Sequence, residues 1–181
     1  MSGELDFTGK RVLVVGGSSG ISNGIAQAFR ARGTRAAAAD YIAEEGSDLA
    51  GLGYTQVDVS DGAAIATAPD PFAEGLDVLV HSQGAVLYKR QEFVREGFDH
   101  VVAVNLSSVM QISERFHPAL AAGQGSIIVV SSIGAFKATF GNPAYGASKA
   151  GAVQLMRTLA LAWAGEGIRV NGIAPSLVDT K

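Results

Sequence analysis

Short, continuously apolar segments recur along the chain, and stretches with helical character separate them. Because these segments are apolar at nearly every position, and not at every second one, they are typical of strands covered on both faces, as in a parallel sheet. Parallel neighbours need crossover connections, which the intervening helices can supply. The predicted strands are residues 11–15, 35–40, 54–59, 76–82, 126–131 and 168–174.

Glycine and proline mark the expected helix boundaries. Gly33 is expected to end the first helix, Pro118 to kink or end the second, and Pro143 to occupy the first turn of the third. Segment 61–74 carries two prolines and poor periodicity, which predicts a short or ragged helix there. The longer predicted helices are residues 21–32, 95–121 and 143–164.

The alternation of strands and helices predicts the fold class. It favours an α/β fold, a Rossmann-type doubly wound parallel sheet with helices on both faces. The 181 residues are enough for one sizeable core, so a single domain over residues 1–181 is expected.

Charge and composition exclude several classes of function. The net charge is −3 and no basic stripe is present, which disfavours nucleic acid and anionic membranes as partners. The longest apolar runs are far too short to span a bilayer, and the first ten residues lack the apolar stretch of a secretory signal, so a cytoplasmic location is expected. His100 and His117 have no metal-ligand spacing around them, and no metal site is predicted.

A glycine-rich segment, residues 16–24, follows the first predicted strand and leads directly into a helix. Glycines let the backbone turn tightly and approach phosphate groups, and a helix N-terminus offers free N–H groups and the positive end of a dipole. Glycines also make ordinary strand-to-helix turns, but the required strand and helix are both predicted here. The segment predicts a dinucleotide-binding loop whose contact residues are Gly16, Ser18, Ser19, Gly20 and Ile21.

Asp40 closes the second predicted strand, about 20 residues after Gly20. A carboxylate at this place can accept hydrogen bonds from the adenosine ribose hydroxyls and would repel a 2′-phosphate. Asp40 therefore predicts NAD(H) in preference to NADP(H), although a solvated aspartate at a strand end is also common.

Together with the glycine-rich loop and Asp40, further residues make the chain resemble the short-chain dehydrogenase/reductase family. The resemblance covers nearly the whole chain. Ser132, Tyr145 and Lys149 match the family's catalytic residues, including the thirteen-residue step from serine to tyrosine, and Asn105 matches its helix asparagine. The family's enoyl reductases space tyrosine and lysine seven apart. The spacing of four seen here indicates the main carbonyl/alcohol branch.

The resemblance also implies further cofactor contacts. Residues 81–84, His-Ser-Gln-Gly, stand where the family has Asn-Asn-Ala-Gly, so that His81 is expected to fill the asparagine position and bond to backbone. Val15 and Ser22 replace the family's loop threonine and last loop glycine. Residues 175–180 resemble the turn that holds the nicotinamide carboxamide. The implied contacts are Asp58, Val59, His81, Gly84, Tyr145, Lys149, Pro175, Val178 and Thr180.

The catalytic residues suit acid/base chemistry on an alcohol or carbonyl. Tyr145 and Lys149 are four apart on a predicted helix, so they project from one face. A free tyrosine has a pKa of about 10, and a nearby ammonium stabilises the phenolate. Ser132 can donate to the same substrate oxygen. In the family, the lysine also bonds the nicotinamide ribose, and the asparagine, here Asn105, would hold a water that links it to solvent.

The resemblance implies a small-molecule alcohol or ketone as substrate and a homodimer or homotetramer as the assembly. Helices 95–121 and 143–164 resemble those that pair subunits in the family. The small residues Ala144, Ala147, Gly151 and Ala152 would permit close packing there. Family members usually continue with a substrate lid and a seventh strand, so the chain is expected to be incomplete at its C-terminus, with residues 168–174 left as a sheet edge.

Other functions stay open at this point. The departures at the loop and at residues 81–83 are compatible with a degenerate protein that binds dinucleotide without turnover. A methyltransferase also combines a glycine-rich loop with a strand-two carboxylate, but it gives no reason for Tyr145 and Lys149. Ser132 lacks the nucleophile-elbow pattern of an esterase, and no carboxylate pair suggests a glycosidase.

Overall fold

A six-stranded parallel sheet forms the centre of the computed structural model, which describes residues 6–40 and 48–180. The strand order is β3-β2-β1-β4-β5-β6, and every neighbouring pair is parallel. This order reverses direction between β1 and β4, as in a doubly wound Rossmann sheet, and confirms the predicted fold class. The strands are β1 (Arg11–Val15), β2 (Arg35–Asp40), β3 (Gly53–Gln56), β4 (Val78–His81), β5 (Ser126–Val130) and β6 (Arg169–Ile173).

Helices connect the strands and cover the sheet. Short 3₁₀ turns lie at Gln91–Phe93, Ile133–Ala135 and Ala164–Glu166, and a π-helical turn, Ala103–Ser107, joins the third helix to the fourth. The α-helices are α1 (Gly20–Arg30), α2 (Gly62–Thr67), α3 (Arg95–Val102), α4 (Ser108–Gly123) and α5 (Pro143–Trp163). None of the helices within the described ranges is long and apolar enough to cross a membrane.

Successive residues of one strand enter opposite layers of the core. Leu13 and Val15 of β1 belong to the larger buried cluster, which includes residues of α4 and α5, whereas Val12 and Val14 join Ala26 of α1 in the second cluster. All four β1 valines and leucines are at most 2% exposed. Burial on both faces explains why the strands are apolar at every position.

Two predicted boundaries differ from those observed. Of the two roles predicted for Pro118, a kink or a helix end, the helix end is wrong, because α4 continues through Pro118 to Gly123. Proline removes one N–H, but Phe116, Ala119 and Leu120 around it are buried, and that packing outweighs the lost hydrogen bond. The third strand ends at Gln56 and not at residue 59, although the N–H of Val57 still reaches the carbonyl of Asp40 at 2.7 Å.

The predicted small-residue face of α5 is packed within the chain at three of its four residues, whereas Ala147 is exposed. Ala144 and Ala152 are buried within the chain itself, and an ideal Cβ at Gly151 would lie 2.9 Å from a methyl group of Leu106. These small residues allow α5 to approach the neighbouring helical segment. β6 lies at the edge of the described sheet, bonded to β5, with Ile173 half exposed.

Asp77 fastens β1 to the turn before β4. Its Oδ2 accepts from the backbone N–H of Arg11 at 3.0 Å and from Nε of Arg11 at 2.9 Å, and its Oδ1 accepts from Lys10 Nζ at 3.1 Å. Burial alone would raise the pKa of Asp77, but the hydrogen bonds from Arg11 and Lys10 and the charge of Arg11 outweigh burial and lower this pKa to about 2.

We expect Asp77→Asn to destabilise the fold by about 1–2 kcal/mol at pH 7, because hydrogen bonds to a charged acceptor are lost. In the unfolded chain an aspartate carboxyl has a pKa near 3.9. The extra free energy of unfolding of wild type is therefore fully present above about pH 4 and is lost as the pH falls towards 2. Urea unfolding of both proteins at pH 7 and at pH 3 measures this. A stability difference that is the same at both pH values would contradict the role given to Asp77.

Candidate active site

A single cleft runs along the carboxyl ends of the central strands, at the point where the strand order reverses. One half lies against β2 and the other against α5, and Ser19, Ser22, Ser82 and Gly84 line both. The β2 half is also lined by Gly16, Ser18, Asp40, Asp58, Val59, Ser60, Gln83, His100 and Val104. The α5 half is also lined by Gly20, Ile21, Ala85, Val86, Tyr88, Val130, Ser131, Ser132, Tyr145, Lys149, Pro175, Ser176, Leu177, Val178 and Thr180.

The glycine-rich loop forms the floor between the two halves. Gly16 has a φ of +81°, and an ideal Cβ there would lie 2.9 Å from the Cα of Gln83, so no other residue fits without displacing backbone. At Gly20, where α1 begins, the space is open, and the nearest atom is Cγ2 of Thr180 at 3.9 Å. The loop therefore packs closely against β4 below and leaves its upper side accessible to a ligand.

The N-terminus of α1 opens into this cleft. Ser19 is the N-cap residue, but its side chain makes no capping hydrogen bond. The first N–H groups of a helix have no partner inside the helix, and the helix dipole makes this end positive. An anionic group is therefore favoured above Ser19 and Gly20.

Asp40 stands at the end of β2, on the wall of the β2 half. Its Oδ2 accepts from the hydroxyl of Ser18 at 2.5 Å and lies 3.3 Å from the Ser18 N–H, which ties the carboxylate to the glycine-rich loop. Asp58 lies on the same wall, and its Oδ1 accepts from the N–H and hydroxyl of Ser60. Both predicted carboxylates thus line the cleft, and Val59 lies beside them.

Tyr145 and Lys149 lie in the α5 half, one turn apart on the same face of α5. The Lys149 ammonium lies 6.0 Å from the centre of the Tyr145 ring. An ideal Cβ at Gly134 would lie 3.4 Å from both Ser132 Oγ and Tyr145 Cε1, so the serine and the tyrosine flank the same glycine. The structure therefore brings the three residues matched to a catalytic set to one place.

Lys149 is 6% exposed, and its ammonium is held by backbone oxygens. Nζ donates to the carbonyl of Val130 at 3.1 Å and reaches that of Gln83 at 3.5 Å. Burial lowers the pKa of Lys149 to about 8. The ammonium is therefore still the main form of Lys149 at neutral pH.

Asn105 lies beneath the cleft, in the π-helical turn, and is 1% exposed. Its side chain accepts from the N–H of Ala85 at 2.7 Å and donates to the carbonyl of Ala85 at 3.0 Å and to Ser148 Oγ at 3.1 Å. The amide is thus occupied by the chain after β4. The expectation that Asn105 holds a water linking Lys149 to solvent stays a prediction.

His81 does not line the cleft, contrary to its predicted place at the cofactor. It is 1% exposed, and burial lowers the pKa of His81 to about 3, so the ring is neutral. Its Nε2 lies 2.8 Å from Ser113 Oγ and its Nδ1 3.4 Å from Gln83 Nε2, so its partners are side chains and not backbone. Side chains of a strand alternate between the two faces of the sheet, and the His81 side chain lies on the face that α4 covers.

Two features of the site were missed by the sequence analysis. Ser22 and Ser82 share a hydrogen bond of 2.7 Å between their hydroxyls. Glu92 is 1% exposed and accepts a hydrogen bond from the N–H of Tyr145. The two serines stand where the resemblance marks departures from the family, which was a usable signal, whereas nothing around Glu92 in the sequence distinguishes it from a solvated glutamate.

Within the described residues, no group of three or more histidine, cysteine, aspartate or glutamate side chains could hold a metal ion.

The chain is similar to known proteins in both sequence and fold. A profile of the family "short chain dehydrogenase" matches residues 10–181. D-threitol dehydrogenase of Mycolicibacterium smegmatis is 37% identical over 196 residues, covering 100% of this chain and 75% of the relative. 2-Dehydro-3-deoxy-D-gluconate 5-dehydrogenase of Bacillus subtilis is 33% identical, covering 95% of this chain and 72% of the relative.

A solved structure from Beutenbergia cavernae superposes with a TM-score of 0.85 at 30% identity, covering 97% of this chain and 75% of that one. That protein is provisionally assigned as an NAD(P)-dependent gluconate 5-dehydrogenase, and it carries NADP at low occupancy. The likeness therefore extends to an NADP-binding structure, and it does not support the predicted preference for NAD(H) over NADP(H).

Proposed function

Since the chain belongs to the short-chain dehydrogenase/reductase family of oxidoreductases, we propose that it transfers a hydride between NAD(H) and a secondary alcohol or ketone, with Tyr145 as the general acid/base. The observation that carries this proposal is the grouping of Ser132, Tyr145 and Lys149 in one cleft with the glycine-rich loop. The nicotinamide cofactor, when bound, supplies the hydride donor or acceptor. The protein supplies position, charge and proton transfer.

The cleft has the features that a dinucleotide needs. The open backbone at Gly20 and the uncapped start of α1 suit a pyrophosphate. The Asp58–Val59 segment and Asp40 border the β2 half, where an adenosine would lie, and Pro175, Val178 and Thr180 border the α5 half, on the nicotinamide side. Gly16, Ser18, Ser19, Ile21 and Gly84 complete the set that we assign to cofactor binding.

Each catalytic side chain has a defined task in this proposal. Tyr145 gives its phenol proton to a carbonyl oxygen during reduction, or takes the hydroxyl proton of an alcohol during oxidation. The Lys149 ammonium stabilises the phenolate by its charge. The Ser132 hydroxyl donates to the same substrate oxygen and stabilises the charge that develops there. Asn105 contributes indirectly, by fixing Ala85, which lines the same half of the cleft as Lys149.

The proposal is tested by an NADH-absorbance screen of purified protein over a panel of secondary alcohols and ketones. Because the relatives are named for D-threitol and for sugar acids, polyhydroxylated compounds belong in the panel beside simple apolar alcohols. Turnover on some member, together with a rise in Tm on adding NADH, supports the proposal. NADH binding without turnover on any member would favour a dinucleotide-binding protein without catalysis.

Cofactor preference is proposed from Asp40. We expect the wild-type kcat/KM for NAD(H) to exceed that for NADP(H) by about tenfold or more. The reason is that a carboxylate at the end of β2 repels a 2′-phosphate. Asp40→Ser should reduce that ratio at least about tenfold, mainly through KM for the cofactor. Asp48→Ser, an exposed aspartate outside the cleft, is the matched control. Equal KM values for both cofactors in wild type would show that Asp40 does not discriminate.

Assembly as a homodimer or homotetramer is proposed from the family alone, and sedimentation velocity of the purified protein tests it.

A further inference from the structure

Glu92 is a carboxylate that the catalytic assignment does not use, yet it is 1% exposed. Its oxygens accept three hydrogen bonds: Oε1 from the N–H of Leu87 at 3.0 Å and from Asn142 Nδ2 at 3.2 Å, and Oε2 from the N–H of Tyr145 at 2.9 Å. A buried ionised group needs such partners to offset its desolvation. Glu92 therefore has a fixed position, and it fixes the groups that bind it.

The three donors come from two walls of the cleft. Leu87 belongs to the segment after β4, whose residues Ala85, Val86 and Tyr88 line the α5 half. Tyr145 is the third residue of α5, and Asn142 directly precedes that helix. The Asn142 side chain also donates to the carbonyl of Leu87 at 2.9 Å. We call this set of contacts between Leu87, Glu92, Asn142 and Tyr145 the Glu92 clamp.

The first turn of α5 depends on this clamp for its capping. Asn142 occupies the N-cap position, but its side chain makes no capping hydrogen bond, because it points to Leu87 and Glu92 instead. The N–H of Tyr145 is one of the donors that a helix leaves without a partner. Glu92 takes the place of the missing cap, and its negative charge lies at the positive end of the helix.

The backbone just before Glu92 turns sharply and brings the Glu92 side chain back towards Leu87. Lys89 and Arg90 have φ values of +53° and +63°, in the left-handed region that non-glycine residues seldom adopt. A 3₁₀ turn, Gln91–Phe93, follows at once. Gly97 permits this turn, because a Cβ there would collide with the carbonyl oxygen of Gln91. Such conformations persist where surrounding contacts hold them, and the clamp supplies those contacts.

We propose that Glu92 is a positioning residue that sets the place of the Tyr145 side chain relative to the cleft wall formed by residues 85–88. It acts through the backbone at Leu87 and Tyr145 and touches no reacting atom. This inference rests on the proposed function, in which the phenol must meet an oxygen of a substrate lying against that wall. A shift of about 1 Å in such an arrangement costs on the order of 100-fold in rate.

Glu92→Gln is the decisive variant. A carboxylate offers acceptors at both ends, whereas a carboxamide of the same shape places an NH₂ donor at one end. That end would face either the N–H of Tyr145 or the donors from Leu87 and Asn142, so one side of the clamp must open. With the best substrate of the screen, we expect kcat to fall about 10- to 100-fold. The Kd of NADH should stay within about twofold of wild type.

Amide hydrogen exchange gives a readout that does not depend on turnover. Glu92→Gln should exchange faster at Leu87 and Tyr145, with unchanged protection in the central strands. Glu96→Gln removes the same charge from an exposed position four residues later and is the matched control, with wild-type kcat and exchange. Faster exchange throughout Glu92→Gln, or kcat and exchange equal to those of Glu96→Gln, would overturn the proposal.

Asn142→Ala keeps the proposal testable if Glu92→Gln does not fold. It removes the donor to Leu87 and Glu92 but leaves the carboxylate its hydrogen bonds from the N–H groups of Leu87 and Tyr145. We therefore expect a smaller fall in kcat, about 3- to 10-fold, with the same local gain in exchange. Wild-type exchange at Leu87 and Tyr145 in Asn142→Ala would also overturn it. If Tyr145→Phe retains full activity, the proposed function fails separately, while the exchange data still decide whether Glu92 holds the two walls together.

Discussion

Tyr145→Phe should lose about 10²- to 10⁴-fold in kcat on any substrate that the wild-type protein oxidises or reduces, because the variant cannot transfer the proton. The phenyl ring keeps the packing of the tyrosine between Gly134 and Lys149. The Kd of NADH and the free energy of unfolding should therefore change little. Initial rates followed by NADH absorbance, NADH titration and urea unfolding measure the three quantities.

The matched control is Tyr54→Phe, which makes the same change on β3, away from the cleft. Its kcat should stay within about twofold of wild type, since Tyr54 contacts neither cofactor nor substrate in the proposed function. If Tyr145→Phe keeps more than about half of the wild-type kcat, Tyr145 is not the general acid/base. Reduced NADH binding in the same variant would instead indicate that the phenol serves the cofactor.

Gly16→Ala should destabilise the fold by about 2–4 kcal/mol and weaken NADH binding at least about tenfold. The backbone at Gly16 has a φ of +81°, which is unfavourable for alanine, and the new methyl group would lie 2.9 Å from the Cα of Gln83. Relief of this contact must move the loop away from β4, and the loop is where the pyrophosphate is proposed to bind. Urea unfolding and NADH fluorescence titration measure the two effects.

Gly24→Ala serves as the control for a glycine in the same segment. Gly24 lies inside α1, and an ideal Cβ there meets nothing within 4 Å. Alanine should stabilise the helix by about 0.5–1 kcal/mol, because glycine is the poorer helix former. NADH binding should remain that of wild type. If Gly16→Ala behaves like Gly24→Ala, the close approach of the loop to Gln83 does not control cofactor binding.

The architecture and most of the cleft lining could be predicted from the sequence. Continuous apolar runs predicted strands that are buried on both faces. The glycine-rich segment 16–24 predicted a turn into a helix whose first N–H groups are available to a ligand. Tyr145 and Lys149 could be paired because residues four apart on a helix always share a face. Asp40 could be placed because a strand end in a parallel sheet lies beside the neighbouring loop.

Other features depended on contacts between residues far apart in the chain. Pro118 indicated a helix end by local rules, and burial of its neighbours overrode that signal. The direction of the His81 side chain depends on which face of the sheet α4 covers. His81 is hydrogen-bonded to Ser113 of α4, 32 residues away. Two of the three donors to Glu92 lie far downstream, Tyr145 by 53 residues and Asn142 by 50.

The sequence by itself thus determined the elements, their layering and the spacing of groups within one helix or loop, because these follow from backbone periodicity and local sterics. Only the tertiary structure decided which side chains from different elements meet: His81 with Ser113, Ser22 with Ser82, and Glu92 with the first turn of α5. These tertiary contacts depend on how the helices pack against the sheet. That packing is determined by the whole core and not by any single segment.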